Sequence, residues 1–445
     1  MGRTLLLLAL LIALPVQALD LQDAYVLALR NDPTFQAALK EHEADQEDRN
    51  IGRAALLPTL NYSYNNARNE SEVTQSTTVG DVRTERDYRS YASNLTLQQP
   101  LFDYAAWAEY KQGVAKALLA DERFRGRSQE LLVRLFTAYS DALLAAERRA
   151  LAQAQRRAYG GRLQLNEKLF AGGEGTRTDM LETQARHELA QAQEIEAQDA
   201  LDSALHELQS IVGEPLLIED LVPLAERFAV QPLQPARFDA WRDLALAGNA
   251  ELASGRHGLE VAERNVQRNR AGHLPKLSLY ASSRLTSSDS ESAYNQKYDT
   301  DSIGIQVSMP LFAGGGVAAS TRQAARQLEQ AIYELDAQRA STLNELRRQF
   351  NLCASSLAKI RAYELAVSSA RTLIEATRKS VSGGERVNLD VLDAEQQYYD
   401  ARGNLAEARH GYLRAWLQLR YLAGVLGDGD LREVSGYFVQ GAEAS

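Results

Sequence analysis

Asp390 and Asp393 stand three positions apart, with Arg386 four positions before the first. On a helix, residues three and four apart share a face. Paired carboxylates can divide acid and base work on a glycoside, but they need a substrate cleft ~5–10 Å wide between them. The surrounding run is long and helical in composition, and it offers no such cleft. What the pair can do is gather cations. The six histidines (42, 187, 206, 257, 273 and 410) are scattered, with no His-x-x-x-His pair to hold zinc. Gly314-Gly315-Gly316 lacks the Gly-Lys-Ser/Thr of a phosphate loop and reads as a flexible junction after Pro310. Three glycosylation sequons, at Asn61, Asn69 and Asn94, read as chance matches. The single cysteine, Cys353, forms no internal disulfide and reads as a small buried apolar side chain. Acidic residues outnumber basic ones, 59 to 49, which argues against nucleic acid as partner. No catalysis, cofactor or metal is expected.

The elements that must carry these carboxylates are set out by proline. Beyond Pro15, prolines fall at 33, 58, 100, 215, 223, 232, 235, 275 and 310, leaving 101–214 and 311–445 free of them. Proline inside a helix costs ~3 kcal/mol, so both stretches can hold very long helices. Leu343, Leu346, Phe350, Cys353, Leu357 and Ile360 alternate steps of three and four. After a shift, Tyr363, Val367, Ala370, Ile374, Thr377 and Val381 do the same, giving a heptad seam with one stutter. Leu131, Leu135, Ala138, Ala142 and Ala145 form a similar seam in the first stretch. A helix from about 313 to 382 would be ~100 Å long.

Between the helices the period changes to two. Leu60, Tyr62 and Tyr64 alternate with polar residues, as do Tyr91, Ser93, Leu95 and Leu97. Leu277, Leu279 and Ala281, then Ile303, Ile305, Val307 and Met309, repeat the pattern. Each pair of strands flanks a polar stretch, 66–88 or 286–300, expected to be a loop. Gly172-Gly173 and Gly383-Gly384 are expected to stop one helix and let an antiparallel one start.

These elements occur twice. Leu57-Pro58-Thr59-Leu60 is echoed by Leu274-Pro275-Lys276-Leu277, Pro100-Leu101-Phe102 by Pro310-Leu311-Phe312, and Gly172-Gly173-Glu174 by Gly383-Gly384-Glu385. Asp179 and Leu181 are likewise echoed by Asp390 and Leu392. The offsets are 217, 210 and 211, from Pro58, Pro100 and Asp179, too long for a solenoid period of ~20–50 residues. The expected organisation is a signal peptide at 1–18, a first repeat at 19–213, a proline-rich linker at 214–236, a second repeat at 237–424 and a tail at 425–445. Arg3, the apolar run Leu5 to Leu14 and Val16-Gln17-Ala18 carry the signal, so export is expected with the mature chain from Leu19. No cysteine follows the cleavage point, so no lipid anchor is expected. No other run reaches the ~18 apolar residues of a membrane helix, so entry into a membrane requires a closed β-barrel.

Four strands cannot close, because outer-membrane barrels need at least ~8. Two chains would supply eight and three would supply twelve, the latter leaving room for a channel. A soluble periplasmic coiled-coil adaptor or structural protein would explain the export signal and the heptads. It would not explain four membrane-length strands.

The signal, the duplicated strand–Pro-Leu-Phe–helix junctions and the Gly-Gly reversals resemble the TolC family of outer-membrane channel-tunnels. The sharpest match is Gly384-Glu385-Arg386-Val387-Asn388-Leu389-Asp390-Val391-Leu392-Asp393-Ala394, similar to that family's periplasmic-entrance segment. The resemblance covers about 20–424. It implies an α+β membrane protein, a trimer with a twelve-stranded outer-membrane β-barrel, four strands per chain, continued by a periplasmic helical coiled-coil barrel. It also implies a passive exit duct for type I protein secretion or small-molecule efflux. The implied partners are a periplasmic adaptor (membrane fusion) protein, an inner-membrane pump (ABC or proton-driven) and outer-membrane lipid. The absent anchor favours the secretion branch. Within the resemblance, Asp390 and Asp393 form a pore constriction of up to six carboxylates, and Asp179 and Arg386 form a link that holds the entrance shut. The turns at Gly172, Gly173, Gly383 and Gly384 form the periplasmic tips that meet the adaptor. Val381 stands where some members carry an aromatic residue, so a third link there is not expected.

Overall fold

A computed structural model describes residues 19–225, 228–290 and 293–438. The expected signal at 1–18 and the end of the tail at 439–445 lie outside the described residues. Helices α1 (Leu21–Asn31), α2 (Pro33–Gln46) and α3 (Asp48–Ala54) precede strands β1 (Thr59–Thr77) and β2 (Gly80–Phe102). Helices α4 (Tyr104–Ala171) and α5 (Arg177–Val212) follow. The second round is α6 (Phe238–Gly248), α7 (Ala250–Arg270), β3 (Lys276–Ser290), β4 (Ala293–Ser308), α8 (Gly316–Ser382) and α9 (Asn388–Leu422), closed by α10 (Asp428–Ser435). The chain forms two compact units, one from residues 1–40, 124–250 and 339–445, the other from 41–123 and 251–338. Each repeat therefore contributes to both units.

In the second unit all four strands form one antiparallel sheet in the order β1-β2-β3-β4. Its register separates two faces. Leu60 pairs with Leu97 and Tyr62 with Leu95, while Leu97 pairs in turn with Ala281, and Ala281 with Ile303. Leu279–Ile305 and Leu277–Val307 continue that face, and Phe102 joins it opposite Leu277. Directly paired residues point to the same side, so one face is mainly apolar across all four strands from Leu277 to Ala281, and turns polar where Ser283 stands opposite Asp301. The opposite face pairs Asn61 with Thr96, Ser63 with Asn94, Thr96 with Ser282 and Ser282 with Ser302. Tyr280 lies on this polar face, and a Cβ on its partner Gly304 would sit 2.7 Å from the Tyr280 hydroxyl. The glycine makes room for the ring.

Apart from the turn at Thr78-Val79, the described residues of the stretches expected to be polar loops are strand instead. β1 and β2 pair continuously from Thr59↔Gln98 to Thr77↔Gly80, and the hairpin turns at Thr78-Val79 with Gly80 at φ +135°. Cross-strand pairs hold this extension, with Arg68 2.6 Å from Asp87 and Arg83 3.3 Å from Glu72. Polarity there reports the surroundings, because paired backbone satisfies itself whatever the side chains.

The first unit holds the main core. α4 and α8 are 68 and 67 residues long. Leu131, Leu135, Ala138, Ala142 and Ala145 are all buried on α4. On α8 the buried positions Leu346, Cys353 and Ile360 fall seven apart, then Ala370 and Thr377 do, with a ten-residue step between. That step, a heptad plus three residues, is the expected break in the seam, and its length makes it a stammer rather than a stutter. Burial pushes the Cys353 thiol up to about 12, as befits a packing residue. The segment 214–236 packs as more than a connector, since Leu216, Leu221, Val222 and Phe228 are buried. Tyr139 accepts a 2.9 Å hydrogen bond from the Val222 amide. Past residue 424, α10 buries Leu431 and Val434 in the same core, and Asp430 pairs with Arg420 at 2.5 Å.

Candidate pore entrance

The reversal from α4 to α5 is built by backbone hydrogen bonds. Gly172 donates to the Lys168 carbonyl at 2.9 Å, Gly173 to Phe170 at 3.1 Å and Glu174 to Leu169 at 2.9 Å. The reversal from α8 to α9 repeats it, with Gly383 to Lys379 at 3.0 Å, Gly384 to Val381 at 3.0 Å and Glu385 to Ser380 at 2.9 Å. In each, the second glycine adopts a left-handed backbone, Gly173 at φ +79° and Gly384 at φ +77°. A side chain there is strained, which is why glycine ends both helices.

The restarts differ. Thr176 caps α5, its hydroxyl accepting from the Asp179 amide at 3.1 Å and donating to the Asp179 carboxylate at 2.6 Å. Val387 has no side chain with which to cap α9. Asp390 instead reaches back, its Oδ2 accepting from the Val387 amide at 3.3 Å. Asp393, one turn on, faces outward and pairs with Arg186 of α5 at 2.8 Å. Arg386 is exposed and makes no ion pair among the described residues. Within one chain the structure thus brings Asp390 and Asp393 to the start of one helix. It does not bring Asp179 and Arg386 together.

Above the tips lies a polar cluster that the motifs did not disclose. The Glu395 side chain is 3 % exposed and accepts from Arg378 of α8 at 2.7 Å and Arg162 of α4 at 3.3 Å. Its Oε2 is buried without a hydrogen-bond partner among the described residues. Arg162 also donates to Asn388 at 3.3 Å, Asn388 donates to Thr183 at 3.1 Å, and Asn166 donates to Thr183 at 2.8 Å. Four helices are joined this way. Beside them Tyr159, Ala190 and Leu392 form a small apolar cluster. Burial pushes the Tyr159 phenol up, so it stays neutral and serves as a hydrogen-bonding group. The sequence did carry a signal: Asn388, Val391, Leu392 and Glu395 follow core spacing, so two polar residues hold seam positions.

The model of the outer membrane efflux protein family matches residues 24–214 and 241–425, one match for each repeat. The chain belongs to the outer membrane efflux protein family. It is 58% identical over 424 residues to the alkaline protease secretion protein AprF of Pseudomonas aeruginosa, covering 95% of this chain and 88% of that one. It is 51% identical over 423 residues to the proteases secretion protein PrtF of Dickeya chrysanthemi, covering 95% and 92%. The outer membrane protein TolC of Escherichia coli is 28% identical over 430 residues, covering 93% and 84%. Among solved structures, a membrane protein from Pseudomonas aeruginosa superposes with TM-score 0.78 at 18% identity, covering 95% and 97%. The outer membrane protein VceC of Vibrio cholerae does so with TM-score 0.75 at 18% identity, covering 91% and 96%. These two show the shared fold. This member of the efflux family is an outer-membrane protein of the channel-tunnel type, working in export.

Proposed function

We propose that three copies of this chain close a twelve-stranded barrel and serve, without catalysis, as the exit duct for proteins secreted by a type I system. The observation that carries this is the sheet of the second unit. It has one apolar face, one polar face and two unpaired edges, β1 and β4. The apolar run pairs Leu277 with Val307, Leu279 with Ile305 and Ala281 with Ile303, and Ser283 opposite Asp301 marks its polar edge. Open edges are untenable in lipid, so the sheet must close on copies of itself. The apolar face then meets lipid and the polar face lines a conduit. Detergent extraction of the outer membrane should give a three-chain particle that conducts in planar bilayers. Release by osmotic shock as a soluble chain would refute this and favour a periplasmic adaptor.

The two most similar relatives named above are secretion proteins for proteases, which supports protein cargo. A periplasmic adaptor and an inner-membrane ATP-driven pump would complete the path, the adaptor meeting the tips at Gly172, Gly173, Gly383 and Gly384. Deleting the gene should leave the host's protease inside the cell while drug resistance is unchanged. The reverse pattern would point to a proton-driven efflux pump.

At the entrance, Asp390 and Asp393 repeated three-fold form an acidic constriction. Alanine at both should raise single-channel conductance and weaken block by trivalent cations; no change in either refutes the assignment. Among the described residues Arg386 makes no ion pair, and Asp179 spends one carboxylate oxygen on Thr176 and makes no ion pair either. That supports a gate link between neighbouring chains. Asp179→Ala with Arg386→Ala should leak in bilayer recordings while the trimer stays intact.

A further inference from the structure

The two carboxylates of the proposed constriction are not electrically equivalent. Asp393 Oδ1 lies 2.8 Å from an Arg186 guanidinium nitrogen. Asp390 has no cationic partner among the described residues, and its side chain accepts from the Val387 amide at 3.3 Å. The other arginines nearby are committed elsewhere or stand alone. Arg162 and Arg378 are held by Glu395, and Arg386 is exposed and unpaired among the described residues. Arg186 lies on α5, seven residues after Asp179, so it belongs to the other helical hairpin from the carboxylate it contacts.

We propose that Arg186 is a selectivity-determining residue of the entrance, compensating Asp393 and leaving Asp390 as the carboxylate that passing ions meet. This rests on the acidic-constriction reading and deepens it. A carboxylate alone presents a full charge, whereas one in contact with a guanidinium presents a dipole whose field falls off faster. Three chains then offer six carboxylates but only three uncompensated charges. The pair is partly exposed, 33% for Arg186 and 50% for Asp393, so it contributes little to stability. Its effect is on the field in the opening. Arg186 is therefore a ligand to neither cargo nor ion. It acts by setting the charge of the carboxylate beside it.

The test uses the purified full-length protein in planar bilayers under a potassium chloride gradient. Two readings are taken: the cation-to-anion permeability ratio from the reversal potential, and the half-blocking concentration of hexaamminecobalt(III). Arg186→Gln should raise the permeability ratio and lower the half-blocking concentration severalfold. Arg186→Lys, which keeps a cation in place, should shift both less. Asp390→Asn should weaken selectivity and block more than Asp393→Asn does in the native background. In the Arg186→Gln background Asp393→Asn should become a large change. If Asp390→Asn alters both readings and Arg186→Gln alters neither, this inference is overturned and the constriction stands. If Asp390→Asn alters neither, the constriction itself falls and the inference with it. Size-exclusion of each variant in detergent checks that assembly is retained.

Discussion

The two helix reversals share a backbone and differ in what restarts the chain. Both stop a long helix with the same hydrogen bonds and a left-handed glycine. The first restarts on Thr176, which engages one oxygen of the Asp179 carboxylate in its own cap. The second restarts on Val387, which consumes nothing, and the acids that follow are held by one backbone amide and one arginine. A duplicated scaffold needs the same turn in both copies, but the charges around it can differ, with the paired acids on the second copy and Asp179 and Arg186 on the first. The difference teaches that duplication preserved geometry through the backbone and let function diverge through caps.

The strongest way to break this contrast is at Glu395 of the second hairpin, whose partners Arg162 and Arg378 come from both hairpins. Glu395→Ala strips Arg162 and Arg378 of their common partner. Removing one member of a buried pair costs ~3–5 kcal/mol, and the exposure of Arg378 lowers the expectation here to about 2–3 kcal/mol. Thermal unfolding of the detergent-solubilised protein should show the drop, and a native midpoint would refute the joining role. Next come Gly173→Ala and Gly384→Ala, where a Cβ meets nothing within 4 Å and only backbone strain remains. Each should cost ~1–2 kcal/mol. Markedly unequal losses would show that the reversals are not equivalent. Thr176→Val, which gives the first copy the second copy's cap, should cost about 1 kcal/mol. The smallest effect is expected from Val387→Thr, a gain of about 0.5 kcal/mol in the same assay. A loss on Val387→Thr would mean that Val387 packs in a way the cap argument omits.

Much of this was legible in the sequence. The proline-free stretches gave α4 and α8, the period of two gave four strands, and the glycine pairs gave both reversals. The heptad seam was visible down to its break between Ile360 and Ala370. Strand ends were not legible, because β1 and β2 run on through Arg68 to Thr77 with residues that read as loop. Alternation marks a strand only where its two faces meet different surroundings, and above the apolar band they do not. The proline-rich segment looked like a tether because proline counts against helix, yet Leu221, Val222 and Phe228 bury it in the core. The tip cluster was hidden for another reason. Arg162 and Thr183 lie more than two hundred residues from Glu395 and Asn388, and no local pattern says which polar residues will meet. The Arg186–Asp393 pair is the same case.

The open edges at β1 and β4 also carry a genetic consequence. In the proposed barrel every chain closes on two others, so a chain with a spoiled edge ruins each assembly it joins. A cell making equal amounts of native and edge-defective protein would build only about one intact barrel in eight by random mixing. Such an allele should therefore be dominant, silencing export while most of the protein in the cell is still well folded along its helices.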